Sequence, residues 1–134
     1  MMAAAAANPS RGWVCWPTRR RDAGVGRTAR VYAAGMAEWI YFIHAPREGF
    51  AETMTDEERA VWGVHFERLQ RLLAEGVLVM AGPTLGPVNT GIAVFEAPDE
   101  AAARKIMADD PVIAGGFARG ELRPFRVSLL RGRD

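Results

Sequence analysis

Residues 37–45, Ala37-Glu38-Trp39-Ile40-Tyr41-Phe42-Ile43-His44-Ala45, set how the rest of the chain is read. The stretch is aromatic and β-branched, which predicts a strand, and Pro46 and Gly49 break it. Both of its parities are apolar: Trp39, Tyr41 and Ile43 on one, Ile40 and Phe42 on the other. A strand with one face in water alternates apolar with polar residues. This strand therefore expects cover on both sides.

Working outward, Thr55-Asp56-Glu57-Glu58 is a capping box, and it predicts a helix from there to about Glu75. Gly76 then supplies the left-handed position that ends it. Val77 to Ala81 form a second strand, stopped by Gly82 and Pro83. A loop with Gly86, Pro87 and Asn89 leads to a third strand, Gly91 to Ala97. Asp99 caps a second helix through about Ala108, and Asp109-Asp110-Pro111 ends it, because the residue before proline avoids helical angles. Gly115 and Gly116 mark a turn, and Leu122 to Leu130 make the last strand.

The order β-α-β-β-α-β is two split βαβ halves. It predicts an α+β, ferredoxin-like domain: a four-stranded antiparallel sheet with both helices on one face. Two helices cover only that face. Yet the second strand is apolar at every position from Val77 to Met80, and the third sets Ile92 and Val94 against Ala93 and Phe95. A second copy of the chain is the cheapest cover, so a homodimer through the open sheet face is expected.

The chain has 134 residues, 49% of them apolar and 25% charged, which suits one domain with a real core. A net charge of +1 argues against a strongly basic nucleic-acid binder. Cys15 stands alone, so no internal disulfide framework forms, and the cytoplasm is the default compartment. No apolar run approaches the ~20 residues that span a bilayer, and no membrane partner is expected. The charge is unevenly spread. Residues 1–35 carry six arginines against Asp22, a net +5, while residues 36–134 carry a net −4. The leader opens on Ala3 to Ala7 and shows no period of 2 or 3.6, so it has no stripe to bury. Its alanines precede its arginines, the wrong order for a secretory signal, and Ser10 is its only serine, which is poor for a transit peptide. Residues 1–35 read as a disordered or spurious N-terminal extension, and residues 36–134 as the domain. As cover for the sheet, the leader's lack of periodicity makes it the weaker choice.

The first helix carries an apolar stripe at Trp62, Phe66, Leu69, Leu72 and Leu73, with His65 inside it. A histidine there is desolvated and needs a hydrogen-bond partner; a satisfied core histidine is the plainer reading of it. Asp109 and Asp110 stand where a helix C-terminus disfavours carboxylates, which suggests that one of them has a partner or a task. An aspartate at that place is within range to orient His65 in a proton-transfer site. Metal binding would require His44, His65 and carboxylates to converge, and no metal is expected. Phosphate loops, nucleophile elbows and dinucleotide fingerprints are absent from the sequence.

His65, the run Gly76 to Pro83 with its Ala81-Gly82-Pro83, the glutamate-ended strand Ile92 to Glu96, and Asp110-Pro111 followed by Gly115 occur in a set order. In that ordered set the body, roughly residues 37–130, resembles the YciI-like (YCII-related) proteins. The resemblance implies a dimeric α/β barrel, in which two ferredoxin-like sheets pack face to face. It also implies that His65 and Asp110 are the catalytic pair; His44, Trp62, Gly82 and Pro83 are the expected substrate contacts. The expected activity is general acid–base chemistry, isomerisation or elimination, on a small organic acid, lactone or substituted aromatic, with no cofactor required. The alternatives are a non-catalytic ligand-binding or assembly module and, third, an oxygenase. Geometry separates the first two: His65 and Asp110 meeting at an open cleft favours the enzyme, and a sealed His65 bonded only to backbone favours the module.

Overall fold

The computed structural model describes residues 35–132. Apart from Gly35, the leader lies outside the described residues. Strand β1 runs Ala37–His44 and is followed by a short helix α1, Phe50–Thr53. Helix α2, Asp56–Ala74, begins at the Thr55 capping box, with both reciprocal bonds to Glu58 made. It ends at Gly76, whose φ of 80° lets the Gly76 and Val77 amides donate back to Leu73 and Leu72. Strands β2, Leu78–Pro83, and β3, Thr90–Ala97, form a hairpin. Helix α3, Glu100–Ala108, is capped by the Asp99 side chain. A second short helix, α4, Pro111–Ala114, precedes β4, Arg119–Pro124.

The sheet order is β2-β3-β1-β4, and every pairing is antiparallel. This is the ferredoxin-like order that the β-α-β-β-α-β reading predicts. The structure adds the one-turn helices α1 and α4, which bring Phe50, Ala51 and Val112 into the core. It also corrects the last strand, expected over 122–130. Pairing begins at Arg119 opposite His44 and ends at Pro124 opposite Trp39. Arg119 and Gly120 carry no apolar signal, and Pro124 has no amide to extend a ladder.

Register sorts the doubled strands. Trp39, Tyr41 and Ile43 face the helices together with Leu78, Ala93, Phe95, Ala97 and Leu122. The next parity, Ile40 and Phe42 on β1 with Ile92 and Val94 on β3, faces away from them. Ile40 and Val94 pair in register and are both buried, while Met80 on the same face is exposed. Among the described residues no helix is long and apolar enough to cross a membrane.

A candidate active site between the first long helix and the sheet

His65 stands at the middle of α2, on the face that also buries Trp62 and Leu69. Leu73, expected in that stripe, is exposed instead. The His65 imidazole turns Nδ1 toward Asp110, 2.8 Å from each carboxylate oxygen. Asp110 is fully buried. Its placement explains why an aspartate survives there. Asp109, not Asp110, closes α3, and it forms an exposed ion pair with Lys105 at 2.7 Å. Asp110 opens α4: Pro111 takes the first helical position, and the Val112 amide donates to Oδ1 at 3.2 Å. At that end the helix dipole favours a carboxylate, so the penalty expected from sequence does not fall on Asp110.

Two further side chains converge on Asp110, and sequence reasoning missed both. The Tyr41 hydroxyl donates to Oδ2 at 2.8 Å. Burial first, then the charge and hydrogen bond of Asp110, push the Tyr41 hydroxyl well above the usual phenol range, against an opposing pull from Arg68. Tyr41 is thus a neutral donor. Arg68, one turn along α2, sets Nη1 3.8 Å from Oδ2 while Nη2 donates to the Ile106 carbonyl at 2.8 Å. Signals for both were in the sequence. A buried phenol on the helix-facing parity needs a partner, and an arginine three residues after His65 lies on the same helix face.

Every hydrogen-bonding group around Asp110 is a donor: the Tyr41 hydroxyl, the Val112 amide and His65 Nδ1–H. The carboxylate accepts from all three, so the imidazole faces Asp110 with Nδ1–H. His65 Nε2, on the far side of the ring, has no hydrogen-bond partner among the described residues.

His65 lines a narrow cleft between α2 and the sheet. Trp62, Phe66 and Leu69 of α2 form one wall; Ile43, Gly82, Pro83, Gly91, Ile92 and Ala93 of the sheet form the other. The gap exists because the helix-facing row of β3 is small there: Gly91 and Ala93 stand where β1 carries Ile43 and Tyr41. A Cβ at Gly91 would come within 3.2 Å of Ile43 Cβ. Among the described residues His65 is the single titratable group in the lining. The cleft therefore brings together His65, Trp62, Gly82 and Pro83, with Asp110 directly behind.

The structure does not bring His44 there. Ile43 faces the cleft, so its neighbour on the strand points to the opposite face. There His44 Nε2 meets Glu121 at 2.9 Å.

The YCII-related domain model matches residues 39–126. The chain belongs to this family. Among solved structures it is similar to 5-chloro-2-hydroxyhydroquinone dehydrochlorinase of Burkholderia phenoliruptrix, in complex with 2,5-dihydroxybenzoquinone. Identity is 17%, the TM-score is 0.50, and the match covers 72% of this chain and 99% of that one. It is also similar, at 14% identity and a TM-score of 0.37, to a cofactor-independent oxygenase from Streptomyces nogalater, over 75% of this chain and 100% of that one. Among curated protein sequences none matches significantly. At these identities the likeness to the dehydrochlorinase speaks for the fold, which thus hosts an enzyme acting on a small molecule.

Proposed function

We propose that this YCII-related protein is a small enzyme in which His65 acts as general base on a substrate seated in the apolar cleft. One observation supports the reading: both oxygens of buried Asp110 lie 2.8 Å from His65 Nδ1, and His65 lines the cleft, so that a neutral imidazole would offer its Nε2 as the base. Nε2 takes a proton from the substrate, and Asp110 stabilises the imidazolium that forms. The proton then returns at another atom, giving isomerisation, or a leaving group departs, giving elimination, and His65 releases the proton to the product or to water. The apolar lining supports a substituted aromatic or a lactone over a multiply charged acid, since among the described residues no arginine or lysine lines the cleft to receive one.

The test is proton exchange. Hydroxylated and halogenated aromatics and lactones, starting with 2,5-dihydroxybenzoquinone as a binding probe, are incubated with the protein in D2O and followed by NMR. At least one is expected to exchange or turn over, and His65→Gln is expected to abolish this with the melting temperature kept. Turnover that survives His65→Gln would refute the base.

We further propose that two copies pack through the open sheet face. Ile40, Phe42, Ile92, Val94 and Met80 share that face, on which Met80 is exposed and Phe42 and Ile92 are half-buried, and among the described residues no helix packs there. Sedimentation at micromolar concentration is expected to give twice the 14.7 kDa chain mass. A well-behaved monomer would overturn the dimer.

A further inference from the structure

We infer that Arg68 is a positioning residue of the site: its guanidinium supplies the counter-charge for buried Asp110, so that His65 keeps its Nε2 lone pair. The inference rests on the general-base reading and deepens it. A carboxylate with no exposure needs compensation. Among the described residues two groups near Asp110 can supply positive charge, His65 by taking a proton and Arg68 by its permanent charge. The charged and titratable groups facing His65 are Asp110 at the start of α4, Arg68 on α2 and Tyr41 on β1. Asp109 also feels Arg68, but it is exposed and paired with Lys105. Tyr41 stays neutral, so only Arg68 can balance Asp110 without using the imidazole.

The geometry suits this division of labour. Nη2 is tied to the Ile106 carbonyl near the end of α3. Nη1 is buried, makes no hydrogen bond, and stops 3.8 Å from Oδ2. Arg68 therefore contributes charge without occupying either carboxylate oxygen, and both remain free to accept from His65, Tyr41 and the Val112 amide. Without the guanidinium, the compensating charge for Asp110 would come from a proton on Nε2, and the base would be lost.

The test reads the resting protein, with no substrate, and so fails or succeeds independently of the proposed reaction. Ring 15N shifts report the charge and tautomer of His65 at pH 7 in the parent, Arg68→Met and Arg68→Lys. In Arg68→Met the ratio of neutral to charged imidazole is expected to fall by roughly tenfold or more, the size that one nearby charge commonly produces. Arg68→Lys is expected to restore most of it. An unchanged His65 in folded Arg68→Met, or a change that lysine fails to reverse, overturns the inference. If Arg68→Met does not fold, the double variant Arg68→Met/Asp110→Asn decides. Recovery of the fold supports charge compensation, because both charges are then gone. Failure to recover overturns it, since Arg68 would then matter only as packing.

Discussion

Two histidine–carboxylate pairs lie on the two faces of one sheet, and their distances are nearly the same. His65 meets Asp110 at 2.8 Å, and His44 meets Glu121 at 2.9 Å. Their surroundings differ. The first pair is 9% and 0% exposed, the second 30% and 31%. Asp110 is enclosed by donors, and its histidine opens on a walled cleft. Glu121 is shared with Arg123, which donates to its other oxygen at 2.6 Å, and His44 stacks on Phe42 at the surface. A histidine beside a carboxylate is thus not yet a site. Burial of the acid, a fixed tautomer and an apolar space for a ligand separate the two, and alternation along β1 assigns each pair its face.

The largest difference is expected in stability. Asp110→Ala leaves Arg68 charged and unpaired in the interior and strips donors from Tyr41 and His65 of their acceptor. A loss of about 3–5 kcal/mol is expected, the range for breaking one side of a buried pair. Glu121→Ala is expected to leave the denaturant midpoint nearly unmoved, because both of its partners, His44 and Arg123, are partly exposed and water can take the place of the carboxylate. Equal losses from the two variants would erase the contrast.

Next in size is the cleft itself. Ala93→Leu adds bulk to the sheet wall facing Trp62 and His65. Overpacking of this kind costs about 1–3 kcal/mol, and binding of any cleft ligand should be lost. The matched change on the other face, Met80→Leu, should do neither. Calorimetry with a bound probe such as 2,5-dihydroxybenzoquinone reads both effects. Binding retained in Ala93→Leu would move the ligand site out of this cleft.

Much of this contrast is legible in the sequence, and the exceptions have physical causes. Thr55 with Glu58, Asp99, and Gly76 announce both long helices, because caps are local chemistry. His65 inside the α2 stripe and the doubled parity of β1 are periodic signals and survive folding intact. Asp110-Pro111 carries two messages, the end of one helix and the N-cap of the next, and only the first is evident without the tertiary position of His65. The last strand is obscured because an edge strand with a polar outer row, Glu121 and Arg123, lacks apolar weight. Tyr41 and Arg68 reach Asp110 from 69 and 42 residues away; strand parity and helix face mark each as inward-facing, but neither pattern names Asp110 as the shared partner. Placing His44 with the other substrate contacts overlooked parity: one residue along a strand is the other face.

A third, smaller effect concerns Tyr41. Removing its hydroxyl in Tyr41→Phe takes one donor from Asp110 and should cost about 1–2 kcal/mol near neutrality. The sign reverses the comparison at high pH. The folded phenol resists ionisation well above 10.0, while the unfolded one ionises near that value. Its contribution is therefore fully present below that pH and is lost as pH rises toward the folded value. Urea midpoints measured between about pH 8 and 11 should fall more steeply for the parent than for Tyr41→Phe. Parallel slopes would mean that Tyr41 is not held neutral by burial and Asp110.

The smallest effect belongs to the exposed pair. The hydrogen bond from His44, then that from Arg123, holds the Glu121 carboxyl below its ordinary value of 4.5. A depressed carboxylate contributes stability above that value and loses it as pH falls through the folded one. Acid titration of the parent against Glu121→Gln should therefore diverge only below about pH 4.5, weakly, and less in high salt, since exposed charges are screened. That weakness is a property of one copy in water. If two copies close over the open face, Glu121 and His44 leave solvent at the rim of the seam. The same acid limb should then deepen as protein concentration rises, because losing the pair favours dissociation as well as unfolding. A limb that is shallow at every concentration would keep the pair on a free surface and count against the face-to-face dimer. A limb that deepens with concentration would support a place for His44–Glu121 at the seam between two copies.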